Sequence, residues 1–180
     1  EEGKFTLDTK LGEIIPALSG SNKEAVTVKE VLSHYGKLKP YITFYSATLD
    51  PVTNKPLETY FKTQPGGLYN VKVADHMYLR NDYYEQIFKE IAEAPQNRTL
   101  TYKYSDLPFH LFKDYLEKTY KKPLDILVDE NFYARIGAKT LTYNPLNKFH
   151  KDQIVPTEDD QFFRYQLLQG TVHDEGAAML

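Results

Sequence analysis

The sequence predicts an α+β fold with an antiparallel sheet, on three observations. Segments with strand alternation and segments with helical spacing are interspersed along the chain. The central strand-like segments are joined by short connections rich in Pro, Gly, Asn and Asp, too short for the crossover that a parallel pair needs. With 41% hydrophobic and 26% charged residues among 180, the chain has the composition of one globular domain able to bury a core. The expected architecture is a three-stranded antiparallel meander packed against two to four helices. It occupies one domain over 1–180, with 1–26 as a candidate N-terminal extension.

In chain order, 4–8 reads as a short strand and Ser19-Gly20-Ser21-Asn22 as a loop. Thr27-Val28-Lys29-Glu30 has the form of a capping box, and Val28, Val31, Leu32 and Tyr35 share a helical face, so a helix is expected over 28–35 with Gly36 as its stop. Segments 41–49, 57–62 and 68–74 read as the meander strands, separated by turns at 50–56 and 64–67. Asn81-Asp82 opens a helix that turns Tyr84, Ile87, Phe88 and Ile91 inward and ends before Pro95. Thr99–Tyr104 alternates as a strand. Ser105 or Asp106 then caps a helix whose apolar face is Phe109, Phe112, Leu116 and Tyr120, with Phe88, Ile91, Phe112 and Leu116 as core. Short strands are expected at 124–128 and 139–143, and a helix at 161–168 behind the acidic run Thr157-Glu158-Asp159-Asp160.

Several function classes are disfavoured. A net charge of −3 does not supply the cationic surface that nucleic acid requires. No apolar run approaches the ~20 residues of a membrane-spanning helix. The absence of cysteine excludes disulfides, thiol catalysis and Cys-based zinc sites. The chain opens on Glu1-Glu2-Gly3 without Met, which reads as a processed or trimmed form. Asn97-Arg98-Thr99 matches a glycosylation sequon. No cofactor motif or metal-ligand spacing appears, so neither cofactor nor metal is expected.

Candidate catalytic groups are scattered. The histidines are His34, His76, His110, His150 and His173, and no two form a metal-binding pair; His173-Asp174-Glu175 reads as a solvated tail. Asp75-His76 is a candidate general-base pair, weighed against a polar connection between elements. Asp129-Glu130 and Glu158-Asp159-Asp160 are acidic clusters of the kind a glycosidase needs across a cleft, and equally the kind that loops and helix starts carry. Serines 19, 21, 33, 46 and 105 lack a nucleophile elbow.

Tyrosine is the stronger signal, with fifteen in the chain. Strand alternation places Tyr41, Tyr45 and Tyr60 on one sheet face with Thr43, Glu58, Lys62, Asn70 and Lys72. Rings beside donors and acceptors suit a carbohydrate or protein ligand, so these three tyrosines are the expected binding residues.

Pro123-Leu124-Asp125-Ile126-Leu127-Val128-Asp129-Glu130-Asn131-Phe132 resembles the first conserved segment of fasciclin-like adhesion domains. Phe163-Arg164-Tyr165-Gln166-Leu167-Leu168-Gln169-Gly170-Thr171-Val172 resembles the second, with Gln166 where that family has His. The resemblance implies an extracellular adhesion role without catalysis. The expectation is therefore a secreted or cell-surface, non-catalytic binding module with a protein or carbohydrate ligand and self-association left open. The alternatives are a hydrolase acting on a glycan or peptide through acidic residues with His76, and a structural subunit of a virion or surface assembly.

Overall fold

The computed structural model describes residues 3–170. These form two compact units, one from 3–43 with 84–115 and the other from 44–83 with 116–170. The α+β class and the three-stranded antiparallel sheet match the sequence reading: five α-helices, that sheet and a two-stranded ribbon occur among the described residues. None of these helices is long and apolar enough to cross a membrane.

The first unit holds α1 (Leu11–Ile14), α2 (Val28–Leu32), nearly all of α3 (Tyr83–Glu93) and the first two turns of α4 (Leu107–Tyr120). Its core is built from Leu11, Leu18, Val28, Val31, Ile87, Phe88, Ile91, Leu107 and Leu111. Helix α3 falls where its apolar spacing puts it. The Lys23 ammonium is buried against its C-terminus and donates to the carbonyls of Ala92 and Ala94 and to Asn22. A cation there complements the helix dipole. Burial, with Lys39 adding to it, pushes the Lys23 pKa down to about 8.

Helix α4 also forms as expected but is rotated from the expected face. Leu107, His110 and Leu111 are buried, whereas Phe112 and Leu116 are only half-buried. The 4–8 and 99–104 segments form no strand; the latter is tied to the 34–40 segment by one backbone bond, from the Lys103 N–H to the His34 carbonyl.

In the second unit two strands fall within the expected segments 57–62 and 68–74, and the third lies further along the chain, at 77–80, in place of 41–49. They are β1 (Phe61–Lys62), β2 (Tyr69–Ala74) and β3 (Met77–Arg80), in the order β1-β3-β2. Phe61 pairs with Leu79, and Val71 with Leu79 on the other side. The expected strand at 41–49 is instead a 3-10 turn over Phe44–Thr48, closed by the Thr48 hydroxyl donating to the Tyr45 carbonyl. Asp50 then accepts from the N–H groups of Val52 and Thr53, an Asx turn that stops any continuation of sheet.

Two more segments trade places. Residues expected as a strand form α5 (Leu124–Val128), followed by a π-turn over Asp129–Tyr133. The Glu117 carboxylate accepts from the Leu124 N–H, which satisfies one of the donors a helix start leaves open. The expected helix at 161–168 is a hairpin of β4 (Glu158–Asp160) and β5 (Gln166–Leu168). Asp160 decides it. Its carboxylate accepts from the N–H groups of Phe162, Phe163 and Arg164, a local side-chain alternative to the helix ladder. Residues 139–143 adopt neither helix nor strand.

Candidate functional site

The site is built at the end of α2. Thr27 and Glu30 close the helix start reciprocally, as the capping-box pattern predicts. The helix ends earlier than expected, at Ser33, in a Schellman turn: the Tyr35 N–H donates to the Glu30 carbonyl and the His34 N–H to the Val31 carbonyl. The left-handed position of that turn, which favours glycine, is taken by His34 at φ 61°. Gly36 serves another purpose, since a Cβ there would lie 3.0 Å from a Val31 methyl. A non-glycine residue held left-handed costs on the order of 1 kcal/mol or more, so the imidazole must be compensated by contacts.

Those contacts run to the 102–109 segment. His34 Nδ1 accepts from the Ser105 N–H at 3.3 Å, and the His34 carbonyl accepts from the Lys103 N–H at 2.9 Å. The imidazole lies 4.5 Å from the Tyr104 ring, 5.8 Å from Tyr102 and 6.3 Å from Phe109. Tyr35 meets Tyr102 edge-on at 6.1 Å. The Ser105 hydroxyl donates to the Lys39 carbonyl at 2.6 Å, and the Asp106 N–H donates to the Pro40 carbonyl. Asn97 reinforces the same junction: its backbone N–H and side-chain amide donate to the Lys37 and Leu38 carbonyls, which gives the sequon asparagine a structural task.

The result is a backbone pinned by hydrogen bonds beside two exposed rings, Tyr102 and Tyr104, of which Tyr104 directly precedes the fixed Ser105. Ser105 is 2% exposed, so its hydroxyl is committed to the protein and is no nucleophile, whereas Tyr104 is 56% exposed. A phenol both donates and accepts, and is therefore suited to proton transfer. One turn into α4, His110 is 4% exposed, and burial with the nearby Lys113 charge pushes its pKa down to about 4. The fold thus holds His110 neutral, while the unfolded chain protonates near 6.5. Stability from this group is full above pH 6.5 and is lost as pH falls from 6.5 towards 4, by up to about 3 kcal/mol. Urea midpoints measured between pH 7 and pH 4 should fall less steeply for His110→Gln than for the unaltered protein.

The residues expected to form the site fall in both units. Tyr41 lies in the first unit, exposed and outside any strand. Tyr45 and Tyr60 lie in the second: Tyr45 stacks on Phe163 at 5.0 Å, and Tyr60 meets Tyr83 edge-on at 5.3 Å. The shared sheet face is not formed, because Tyr41 and Tyr45 are not in strands and Tyr60 precedes β1. His76 is the exposed left-handed residue of the β2–β3 hairpin turn. Burial pushes the Asp75 carboxyl up, yet hydrogen bonds and charge from Lys72 and Lys151 outweigh it and hold the group below its ordinary range. Asp129 and Glu130 pair with Lys148 and Lys122. His173 lies outside the described residues. Among those described, no three His, Asp or Glu side chains gather as a metal site.

Comparison with known proteins gives the arrangement a context. The family described as Beta-lactamase matches residues 1–170. A curated relative, the N-acetylmuramyl-L-alanine amidase of Bacillus subtilis (strain 168), is 38% identical over 85 residues, which cover 41% of this chain and 19% of that protein. The chain thus matches about a fifth of the length of that relative. No solved structure matches significantly. These findings overturn the resemblance to fasciclin-like domains, whose supposed strand at 124–128 is in any case helix α5. They also speak against the expected non-catalytic adhesion module and favour the hydrolase alternative.

Proposed function

The chain belongs to the β-lactamase family, and from that premise we propose that it forms part of the active site of a hydrolase that cleaves a carbonyl–nitrogen bond. A β-lactam ring and the amide of an N-acetylmuramyl-L-alanine unit share that bond. We take the muramyl–alanine amide as the substrate, because the amidase relative is 38% identical across its aligned stretch. Such a substrate carries both sugar and peptide, and it lies in the cell wall, so the protein acts at the cell surface.

One observation carries the assignment: exposed Tyr104 directly precedes a Ser105-Asp106 segment whose backbone and hydroxyl are fixed by hydrogen bonds to His34, Lys39 and Pro40. Class A β-lactamases and penicillin-binding proteins carry S-x-x-K, S-D-N and K-T-G motifs. Here Ser105-Asp106-Leu107 departs from the second at its last residue, and Lys139-Thr140-Leu141 departs from the third. No serine among the five has lysine three positions on. The nucleophile of that type is therefore assigned to another part of the protein, and this chain supplies Tyr104. In the reaction a nucleophile adds to the carbonyl carbon, the C–N bond breaks, and the departing nitrogen takes a proton. Water then releases the acyl group as a carboxylate. The Tyr104 phenol is the group proposed to pass that proton.

The whole protein, incubated with an N-acetylmuramyl-L-alanyl peptide, should release the free peptide amine, followed by mass spectrometry. Turnover of a β-lactam alone would correct the substrate. Turnover of neither would overturn the assignment.

A further inference from the structure

We infer that His34 is a positioning residue for Tyr104, an inference that rests on the role of Tyr104 proposed above. The side chain and backbone of His34 bracket the tyrosine. Its carbonyl accepts from the residue before, the Lys103 N–H at 2.9 Å, and its Nδ1 accepts from the residue after, the Ser105 N–H at 3.3 Å. Its ring lies 4.5 Å from the Tyr104 ring at an interplanar angle of 41°. One residue thus holds the backbone N–H of both residues that flank Tyr104 and supports its ring.

The backbone of His34 argues that this is the task for which the imidazole is kept. The residue occupies the left-handed position of a Schellman turn, at φ 61°, where glycine is favoured and asparagine tolerated. The cap itself gains nothing from histidine. The imidazole supplies what glycine cannot: an acceptor for the Ser105 N–H and a flat surface for Tyr104. Accepting through Nδ1 requires that nitrogen to be unprotonated, which leaves the N–H on Nε2.

This separates a positioning role from a structural one, because the two predict opposite results for one substitution. His34→Gly trades relief of the left-handed backbone against the lost ring contacts and the lost acceptor for the Ser105 N–H, so the melting midpoint should stay near the parent's. If His34 positions Tyr104, kcat on the N-acetylmuramyl-L-alanyl peptide should nevertheless fall, by about 10-fold to 100-fold, with KM unchanged. His34→Asn keeps a side-chain acceptor at a similar reach and tolerates the left-handed backbone, but loses the ring, so its kcat should fall between the two. Full kcat in His34→Gly while Tyr104→Phe is inactive would overturn the positioning role and leave the reading of Tyr104 standing. A fall in kcat matched by a fall in melting midpoint in both variants would also overturn it, in favour of a structural role. Full kcat in Tyr104→Phe would overturn the reading of Tyr104 itself, and the inference with it.

Discussion

Asp160→Ala is expected to destabilise the second unit by about 3–5 kcal/mol, the cost of stranding one partner of a buried ion pair. The Asp160 and Arg164 side chains are 5% and 6% exposed, and their charges meet at 3.2 Å. Asp160 also accepts from three successive backbone N–H groups, and Arg164 donates to the Val73 carbonyl of β2 at 3.0 Å. Removing the carboxylate leaves a buried guanidinium without this counter-charge and frees the turn that sets Phe163 against Tyr45 and Phe61. Desolvation alone would raise the Asp160 pKa, but the N–H groups of Phe163, Phe162 and Arg164, with the Arg164 side chain, hold it below the ordinary range. Its stabilisation is therefore present above the unfolded value near 3.8 and disappears as pH falls through the lower folded value. Urea unfolding at pH 7 measures the loss; a variant within about 1 kcal/mol of the parent would show the pair to be dispensable.

Leu111→Ala is expected to cost about 2–5 kcal/mol, and Phe112→Ala distinctly less, although phenylalanine is the larger side chain. Leu111 is 1% exposed, so its truncation leaves a cavity among the buried residues of the first unit. Phe112 is half-buried and already shares its surface with water. Melting midpoints of the two variants decide which face of α4 is the core, and the reverse order would rotate the helix back to the Phe112–Leu116 face.

That rotation shows what a sequence of this kind reveals. Helices α3 and α4 were legible because eleven and fourteen residues of sustained apolar spacing outweigh local alternatives. The buried stripe of α4 was not. Its face is apolar enough on two sides, and His110 looked polar when it is buried and held neutral. Short segments were ambiguous for the opposite reason. Five residues such as Leu124–Val128 fit either period, and the deciding contact, Glu117 on the Leu124 N–H, lies seven residues away. The 41–49 segment alternates convincingly, yet a 3-10 turn closed by Thr48 takes it.

The candidate site was hidden by its own local chemistry. Ser105 reads as a helix cap, and its bond to the Lys39 carbonyl joins residues 66 apart in sequence. Gly36 advertised a helix stop, so nothing drew attention to His34 two residues earlier, where the left-handed turn occurs. A Tyr-Ser-Asp run directly before a helix was the one signal available, and it carries meaning only beside the family match.

The task proposed for Tyr104 is to pass the proton in cleavage of a carbonyl–nitrogen bond. Its most direct test is kcat of Tyr104→Phe in the whole protein, on an N-acetylmuramyl-L-alanyl peptide. Phenylalanine keeps the ring against His34 and removes only the hydroxyl. The expected result is a fall of about 10²–10⁴-fold in kcat with the melting midpoint unchanged. A variant that turns over at the parent's rate would contradict it.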